Sequence, residues 1–529
     1  MPRSILASME RRPACWALAF VVLASVRIVS TYPVFNHTMD EPAHIACGME
    51  WLDKGAYEWE PQHPPLARVA AALPLYLAGV RSENTPRDLP LAMSLEGAAI
   101  LYSGHQYDRN LALARLGILP FFWAACAVVY AWGLRYFRPG VAVAGVFVFS
   151  MLPPVMAHAG LATTDMALTA AFGAAFLAFL IWLDEPNLRH AVWLGLAGGL
   201  MMLSKFSGLA FFPVSAALAL AWRRRAARRE PSRKASASFV LAILTGALVV
   251  WAGYRFSFGD AGFWHLRLPA PELYAGIRQV LDHNALGHVS YLMGVRSQAG
   301  FWWFFPVALA VKSPLAFLIL VLVSVAFLIW NGSFDRNAWA LVAFSAGVLL
   351  VGIFSHIDIG VRHVLPAYLG LALLAGVGLV RLLEWSDSRL WLKASIAFLM
   401  LWLAGSSLWS HPDYLAYFNE LAGNQPEKIL VDSDLDWGQD LKRLSARLHQ
   451  AGAAEVAFDP YVPGGVEQQL GFPPIHPLNA SGGGWNAIGL TAWKKSVSGR
   501  PPGFITPPEL VGKSILLWYV PPFRTAGAE

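Results

Sequence analysis

The stretch ACWALAFVVLASVRIVSTYPVFNHTMDEPAH, Ala14 to His44, decides how the rest of the chain is read. Its first half is apolar over the length that crosses a bilayer core as a helix, about 20 residues being needed. Its second half closes on two adjacent carboxylates, Asp40 and Glu41. Arg11 and Arg12 precede the apolar run and no clear small-residue cleavage site follows it, so the segment reads as a retained first span and not a removed leader. A spanning helix with acid immediately beyond it sets the fold class and the first candidate for chemistry together.

The composition agrees. Of 529 residues 56% are hydrophobic and 14% charged, a balance that excludes an ordinary soluble domain because lipid must be the chain's main solvent. The formal charge of +6 does not point to nucleic acid, since the densest basic run, Arg223 to Lys234, lies between apolar stretches and carries no interleaved aromatic residues. It reads as a cytoplasmic loop against anionic lipid. Cys15, Cys47 and Cys126 offer no disulfide framework.

Apolar stretches predict an α-helical polytopic membrane protein of about eleven spans, near 14–32, 111–134, 140–157, 166–183, 190–204, 208–222, 237–254, 305–330, 338–354, 364–381 and 392–409. Basic residues near span ends stay cytoplasmic. Arg11, Arg12, Arg135, Arg138, Arg189, the Arg223 run, Arg336, Arg381, Arg389 and Lys393 all fall on one side of this scheme. The other, outer side receives the loop 33–110, the Asp165 turn, the Lys205 turn, the loop 255–300, the turn 355–363 and the tail. Residues 1–409 are expected to form the transmembrane domain and 410–529 a small α/β outer domain. That domain would have strand-like runs at 428–431, 455–458 and 514–520 around a helical pattern at 439–450. In the first loop, Ile45, Met49 and Leu52 and the run Leu66 to Leu77 predict two helices on the membrane surface. Sequons stand at Asn36 and Asn479, both on the expected outer side. No internal repeat of 20 to 50 residues is visible.

Nearly every polar cluster falls on that outer side. In Met39-Asp40-Glu41-Pro42-Ala43-His44 the proline suits a first helical turn, which sets Asp40, Glu41 and His44 as a base, an orienting partner or part of a metal site; the same residues also suit an ordinary acidic helix cap. Gln62-His63-Pro64-Pro65-Leu66-Ala67-Arg68 holds His63 and Arg68 at a rigid turn, or simply leads into a helix. Asp165 in Thr163-Thr164-Asp165 is a carboxylate at the membrane edge, costly unless paired, or the start of a capped helix. Lys205, Lys312, Arg362 and His363 supply positive or donor groups near the same depth, where long side chains also snorkel for solubility alone. Outward carboxylates facing outward cations suit a hydroxyl nucleophile and a phosphate leaving group. The acids Asp432, Asp434 and Asp436 read as a solvated loop cluster or, alternatively, as oxygen ligands for a hard cation.

These residues resemble the GT-C membrane glycosyltransferases related to protein O-mannosyltransferases and to the lipid A aminoarabinose transferase (glycosyltransferase family 39), and the likeness covers nearly the whole chain. Asp40-Glu41 resembles the family's first-loop acidic motif, Asp165 its second acidic position, Lys205 a lysine after the fifth span, and Gly360 to Pro366 a late outer turn. The resemblance implies a hexosyl or pentosyl transfer from a polyprenyl-phosphate-linked donor to a hydroxyl on a protein, lipid or polysaccharide, with inversion, on the periplasmic side of a bacterial inner membrane. It implies Asp40 as catalytic base, Glu41 and Asp165 as supporting carboxylates, and His63, Arg68, Lys205, Arg362 and His363 on the donor phosphate. His44 and Lys312 would serve substrate, and a divalent cation is compatible with the site. Where the aminoarabinose branch has an acid and a lysine before the Pro-Pro turn, this chain has Gln62 and His63; His63 could donate in the lysine's place when protonated, with Arg68, Lys205 or Arg362 holding more of the charge. Two motifs, His411 to Glu420 and Asp434-Leu435-Asp436-Trp437-Gly438-Gln439-Asp440, resemble a bacterial branch. A lipid-linked sugar transporter or flippase and an oligosaccharide ligase are the competing readings.

Overall fold

A computed structural model describes residues 2–226, 233–262, 266–330, 336–386, 389–460, 462–478, 483–496 and 507–521. The centre of the basic run and the sequon at Asn479 lie outside the described residues. Every one of the eleven apolar stretches falls on helix. They are not equivalent spans, however. Among the described residues six helices are long and apolar enough to cross a membrane, or up to eight if each of two bent pairs is one span. The stretch expected as one span at 140–157 is two helices, Pro139–Ser150 and Pro153–Ala159, meeting at 70°. Leu152 is extended, as a residue before proline must be, and Pro153 opens the second helix. The stretch at 305–330 is likewise broken, by 115° between Phe304–Lys312 and Leu315–Trp330, with Ser313 extended before Pro314.

Asp165–Asp184 and Ala367–Trp385 are the most enclosed of the long helices, whereas Ala235–Gly253 and Leu390–Trp409 are the least. The open flank of Ala235–Gly253 shows Phe239, Val240, Ile243, Leu244 and Leu248, a continuous apolar surface suited to lipid. Inside, Phe172 stacks on Phe344 at 4.6 Å and Trp132 meets Phe344 edge-on at 5.5 Å, joining three helices. Gly145 and Gly376 bring Pro139–Ser150 against Ala367–Trp385, since a Cβ on Gly376 would lie 2.8 Å from the Gly145 nitrogen. Small residues at such crossings let helices pack closely in lipid, where the hydrophobic effect does not drive them together.

The two ends of this bundle differ in chemistry. At one, Arg135 pairs with Glu185 at 3.2 Å and Arg138 with Glu384 at 2.7 Å. Asp165 opens the 20-residue helix that Glu185 follows, so it stands about 30 Å away at the other end, at 1.5 Å per residue.

The first loop is a packed helical unit. The two expected helices are Glu41–Asp53 and Pro65–Leu77, and a third, Ala92–Tyr102, was not anticipated. They lie on one another closely: a Cβ on Gly48 would sit 2.0 Å from the Arg68 carbonyl oxygen, and one on Gly97 would sit 1.8 Å from that of Pro42. The loop 255–300 also has structure of its own. Strands β1 (Phe258–Asp260) and β2 (Arg267–Pro269) form one hairpin, β3 (Ser290–Leu292) and β4 (Val295–Ser297) another, with helix Pro271–Leu286 between them.

In the tail, β5 (Val456–Ala457), β6 (Ile475–His476), β7 (Gly484–Gly489), β8 (Glu509–Val511) and β9 (Ile515–Val520) form one sheet in the order β6-β5-β7-β9-β8. β5 runs parallel to β6 and β7, and the other pairs are antiparallel. The expected helix appears as Leu441–Gln450, with Leu444 and Leu448 buried. The strand expected at 428–431 is absent: Pro426–Lys428 is a 3-10 turn, and Leu430 and Val431 are apolar because they are buried, not because they pair.

Gly48→Ala forces a Cβ into backbone that has no side-chain freedom to yield, an overpacking cost of about 1–3 kcal/mol. Its thermal midpoint in detergent should fall clearly, while Gly198→Ala, with open space at the Cβ position, should leave it unchanged or slightly raised. Equal midpoints for both variants would contradict the helix contact.

Candidate active site

Asp40 occupies the cap position of Glu41–Asp53 but makes no side-chain cap hydrogen bond. Its Oδ2 instead accepts from Arg362 Nη1 at 3.0 Å. Arg362 lies in the 3-10 turn Val361–Val364, and the same Nη1 is 3.8 Å from Asp165 Oδ2. Asp165 opens its helix, where Thr164 likewise makes no cap, and its Oδ1 takes the Lys205 Nζ at 2.6 Å. Lys205 is the extended residue that closes Leu188–Ser204. Four expected residues from four separate elements thus join in one chain of alternating sign, Asp40 to Arg362 to Asp165 to Lys205. A helix-cap role accounts for neither acid. The side chain of Asp40 is 34% exposed, against 1% for Asp165 and 8% for Arg362, so Asp40 is the carboxylate that a ligand reaches.

Three expected histidines border this chain. His363 follows Arg362 in the turn and its Nε2 has no hydrogen-bond partner among the described residues. Burial, then the nearby Lys205 and Arg362 charges, hold its imidazole well below the usual range. His44 Nδ1 accepts from Arg68 Nε at 3.1 Å, and its ring meets His63 edge-on at 5.2 Å. Burial and Arg68 hold His44 well below its usual range. Burial also lowers His63, against the pull of Glu60. Burial thus works against the protonation that would let His63 donate in a lysine's place, and the cations paired with the two carboxylates are Arg362 and Lys205, two of the residues that the sequence offered for that charge.

Other expected residues are engaged elsewhere. Glu41 was expected to orient Asp40, but both its oxygens are taken up by Arg115, at 2.9 Å from Nε and from Nη2, and by the backbone nitrogens of Thr38 and Ala162. Burial opposes its charge, yet Arg115 and these donors hold the carboxyl below the usual range. Arg68 was expected on the donor phosphate, but it is buried and spends its donors on His44, on Tyr57 Oη, on the Glu60 carbonyl and on the Glu60 carboxylate. It clamps the turn that carries His63. Lys312 was expected at substrate, but its Nζ donates to the carbonyls of Leu415 at 2.7 Å and Asp434 at 2.5 Å, tethering the tail.

The tail acids are the largest departure from expectation. Asp432, Asp434 and Asp436 are buried, not solvated, because this segment docks against the turn 359–362. Asp434 Oδ1 accepts from Val361 N at 2.9 Å, Asp436 accepts from Thr491 N and Gly438 N, and Asp432 pairs with Lys495. Burial pushes the Asp436 carboxyl up to about 7. The sequon Asn36 is buried too: its amide donates to the Gly438 carbonyl at 2.7 Å and its oxygen accepts from Leu441 N at 2.8 Å. It is a joint between first loop and tail. Sequence reasoning missed Glu60, Arg115, Ser433 and Trp437, of which only Trp437 stood in a quoted motif. Among the described residues no group of three or more His, Cys, Asp or Glu side chains is arranged to hold a metal ion. Asp40 and Asp165 are bridged by the Arg362 guanidinium.

The Glu60 clamp has a pH signature. Burial opposes its charge, but Arg68 and His63 outweigh it and bring the carboxyl down to about 2. A depressed carboxyl stabilises fully above its unfolded value and loses that contribution as pH falls through the folded one. Thermal stability should therefore drop between about pH 4.5 and pH 2, and Glu60→Gln should start lower at neutral pH and show a flatter acid limb. An unchanged acid limb in the variant would contradict the clamp.

Comparison with known proteins bears on the fold. Residues 110–252 match the family described as Dolichyl-phosphate-mannose-protein mannosyltransferase. No curated protein matches the sequence. Among solved structures, ArnT from Cupriavidus metallidurans bound to undecaprenyl phosphate is similar at 12% identity over 95% of this chain and 98% of its own, with a TM-score of 0.50. Its apo state gives 13%, 96%, 98% and 0.48. The archaeal oligosaccharyltransferase AglB from Archaeoglobus fulgidus, in complex with an inhibitory peptide and a dolichol-phosphate, gives 11%, 91%, 70% and 0.48. With its helical bundle, its apolar spans and this match along the whole length of ArnT, the chain is a membrane protein of the GT-C glycosyltransferase fold.

Proposed function

We propose that the chain is an inverting glycosyltransferase that moves a sugar from a polyprenyl-phosphate-linked donor to a hydroxyl acceptor. The observation that carries this reading is the ion chain, in which the reachable carboxylate Asp40 is paired with Arg362 and linked through Asp165 to Lys205, at the end of the bundle opposite Arg135 and Arg138. The matched family is named for a dolichyl-phosphate sugar and the ArnT structure holds undecaprenyl phosphate, both polyprenyl phosphates, which supports the donor class.

In the proposed reaction the acceptor hydroxyl gives its proton to Asp40 as its oxygen attacks the anomeric carbon. The bond from that carbon to the phosphate oxygen breaks, and polyprenyl phosphate leaves with the electron pair. Arg362, whose Nη1 donates to Asp40 Oδ2, holds that carboxylate in place to accept the proton. Arg362 Nη2 has no acceptor among the described residues, and it and Lys205 meet the charge that develops on the phosphate. A single displacement inverts the anomeric centre, and Asp165, buried and paired, is not placed to intervene as a nucleophile. The site end would face the periplasm of a bacterial inner membrane, with the arginine-rich end cytoplasmic. Eleven crossings and a tail domain from residue 410 fit this arrangement, and the acceptor is a protein, lipid or polysaccharide hydroxyl.

The test is release of labelled sugar from a panel of polyprenyl-phosphate sugars by purified protein in lipid. Wild type should release sugar from one member, and Asp40→Asn should lower kcat by about 10²- to 10⁴-fold, the usual contribution of a general base. Full turnover by Asp40→Asn would contradict the assignment. Absence of release from every monosaccharide donor would favour an oligosaccharide ligase or a lipid-linked sugar flippase.

A further inference from the structure

The tail segment Asp432 to Trp437 packs directly on Arg362 and the turn that carries it. Ser433 Oγ accepts from Arg362 Nε at 3.1 Å and donates to the Ile359 carbonyl at 2.6 Å. The Trp437 ring lies 4.1 Å from the centre of the guanidinium. Asp434 Oδ1 holds the nitrogen of Val361, the residue before Arg362. Gly360 passes so close that a Cβ there would fall 2.2 Å from Ser433 Oγ. Trp437 also reaches the other member of the pair, since its carbonyl accepts from the nitrogen of Met39 at 3.1 Å, next to Asp40. The segment is itself fixed from the membrane side by Lys312 on the Asp434 carbonyl.

An arginine side chain has several rotatable bonds and loses much rotamer freedom when it is held in one pose. Here one hydrogen bond fixes its Nε and one aromatic face fixes its plane. Nη1 is thereby left on the two carboxylates and Nη2 unclaimed.

We infer that Ser433 and Trp437 are positioning residues that hold Arg362 in the pose that receives the donor's phosphate, so that the tail sets donor affinity. This rests on the function proposed above. Neither residue touches the reacting atoms; both act through Arg362.

The experiment measures polyprenyl phosphate binding and donor KM and kcat for Ser433→Ala and Trp437→Leu, alone and in an Arg362→Ala background. Each single variant should weaken polyprenyl phosphate binding and raise donor KM by about three- to thirtyfold, the range for losing a cation–π contact or a hydrogen bond to a charged group. The effect on kcat should be smaller. Ser433→Thr and Trp437→Phe should restore most of the loss. Once Arg362 is gone, neither tail change should weaken binding further. Additive losses in the Arg362→Ala background, or unchanged binding by folded Ser433→Ala, would overturn the inference while leaving the glycosyltransferase reading standing. A folded wild type that neither binds polyprenyl phosphate nor releases sugar would overturn both. Should Trp437→Leu fail to fold, Ser433→Ala decides alone.

Discussion

A charged group at the edge of a low-dielectric bundle must be paired or pay heavily for lost hydration, and this protein meets that constraint with one shared guanidinium. Arg362 Nη1 is 3.0 Å from Asp40 and 3.8 Å from Asp165, and Asp165 is closed on its far side by Lys205. Two carboxylates and two cations balance one another within this row of side chains. Removing Asp165 takes from Lys205 its carboxylate and removing Arg362 takes from Asp40 its cation, so the four elements that carry them are held together by electrostatics as well as by packing. Only Asp40, at the open end, can exchange its partner for a ligand without that penalty.

The remaining buried charges form a frame around this chain. Glu41 and Arg115 lock the start of Glu41–Asp53 to the helix that begins at Tyr107, which fixes where Asp40 emerges. Glu60 and Arg68 hold the turn bearing His63. Lys312 and Asn36 pull the tail down onto the bundle. Tail, first loop and turn 359–362 therefore meet at one place, and the acidic tail segment is a wall of the site.

The sequence made the helical class and four members of the ion chain legible because both leave local marks: apolar runs of spanning length, and charges placed where such runs end. The breaks at Pro153 and Pro314 were marked as well, by prolines inside apolar runs, but a count of crossings treats each run as straight. Asp40 and Glu41 were read as partners because they are neighbours; consecutive residues at a helix start point about 100° apart, and Glu41 finds Arg115, far along the chain. Arg68 and Lys312 were read as ligand-binding for the same reason, since nothing local reveals an acceptor such as the Glu60 carboxylate or the Asp434 carbonyl. The tail acids looked solvated because their partners, Val361, Thr491 and Lys495, are distant in sequence. Burial set by distant segments has no local signature.

In the proposed reaction the donor's phosphate is received between Lys205 and Arg362. The most direct measurement is a cryo-electron microscopy structure of the protein in nanodiscs with a saturating polyprenyl phosphate. Phosphate density is expected within hydrogen-bond reach of Arg362 Nη2 and Lys205 Nζ, with the polyprenyl chain running out between helices at that end of the bundle. Phosphate density at the opposite end, beside Arg135, Arg138 or Arg189, with the Asp40 to Lys205 chain undisturbed, would contradict it.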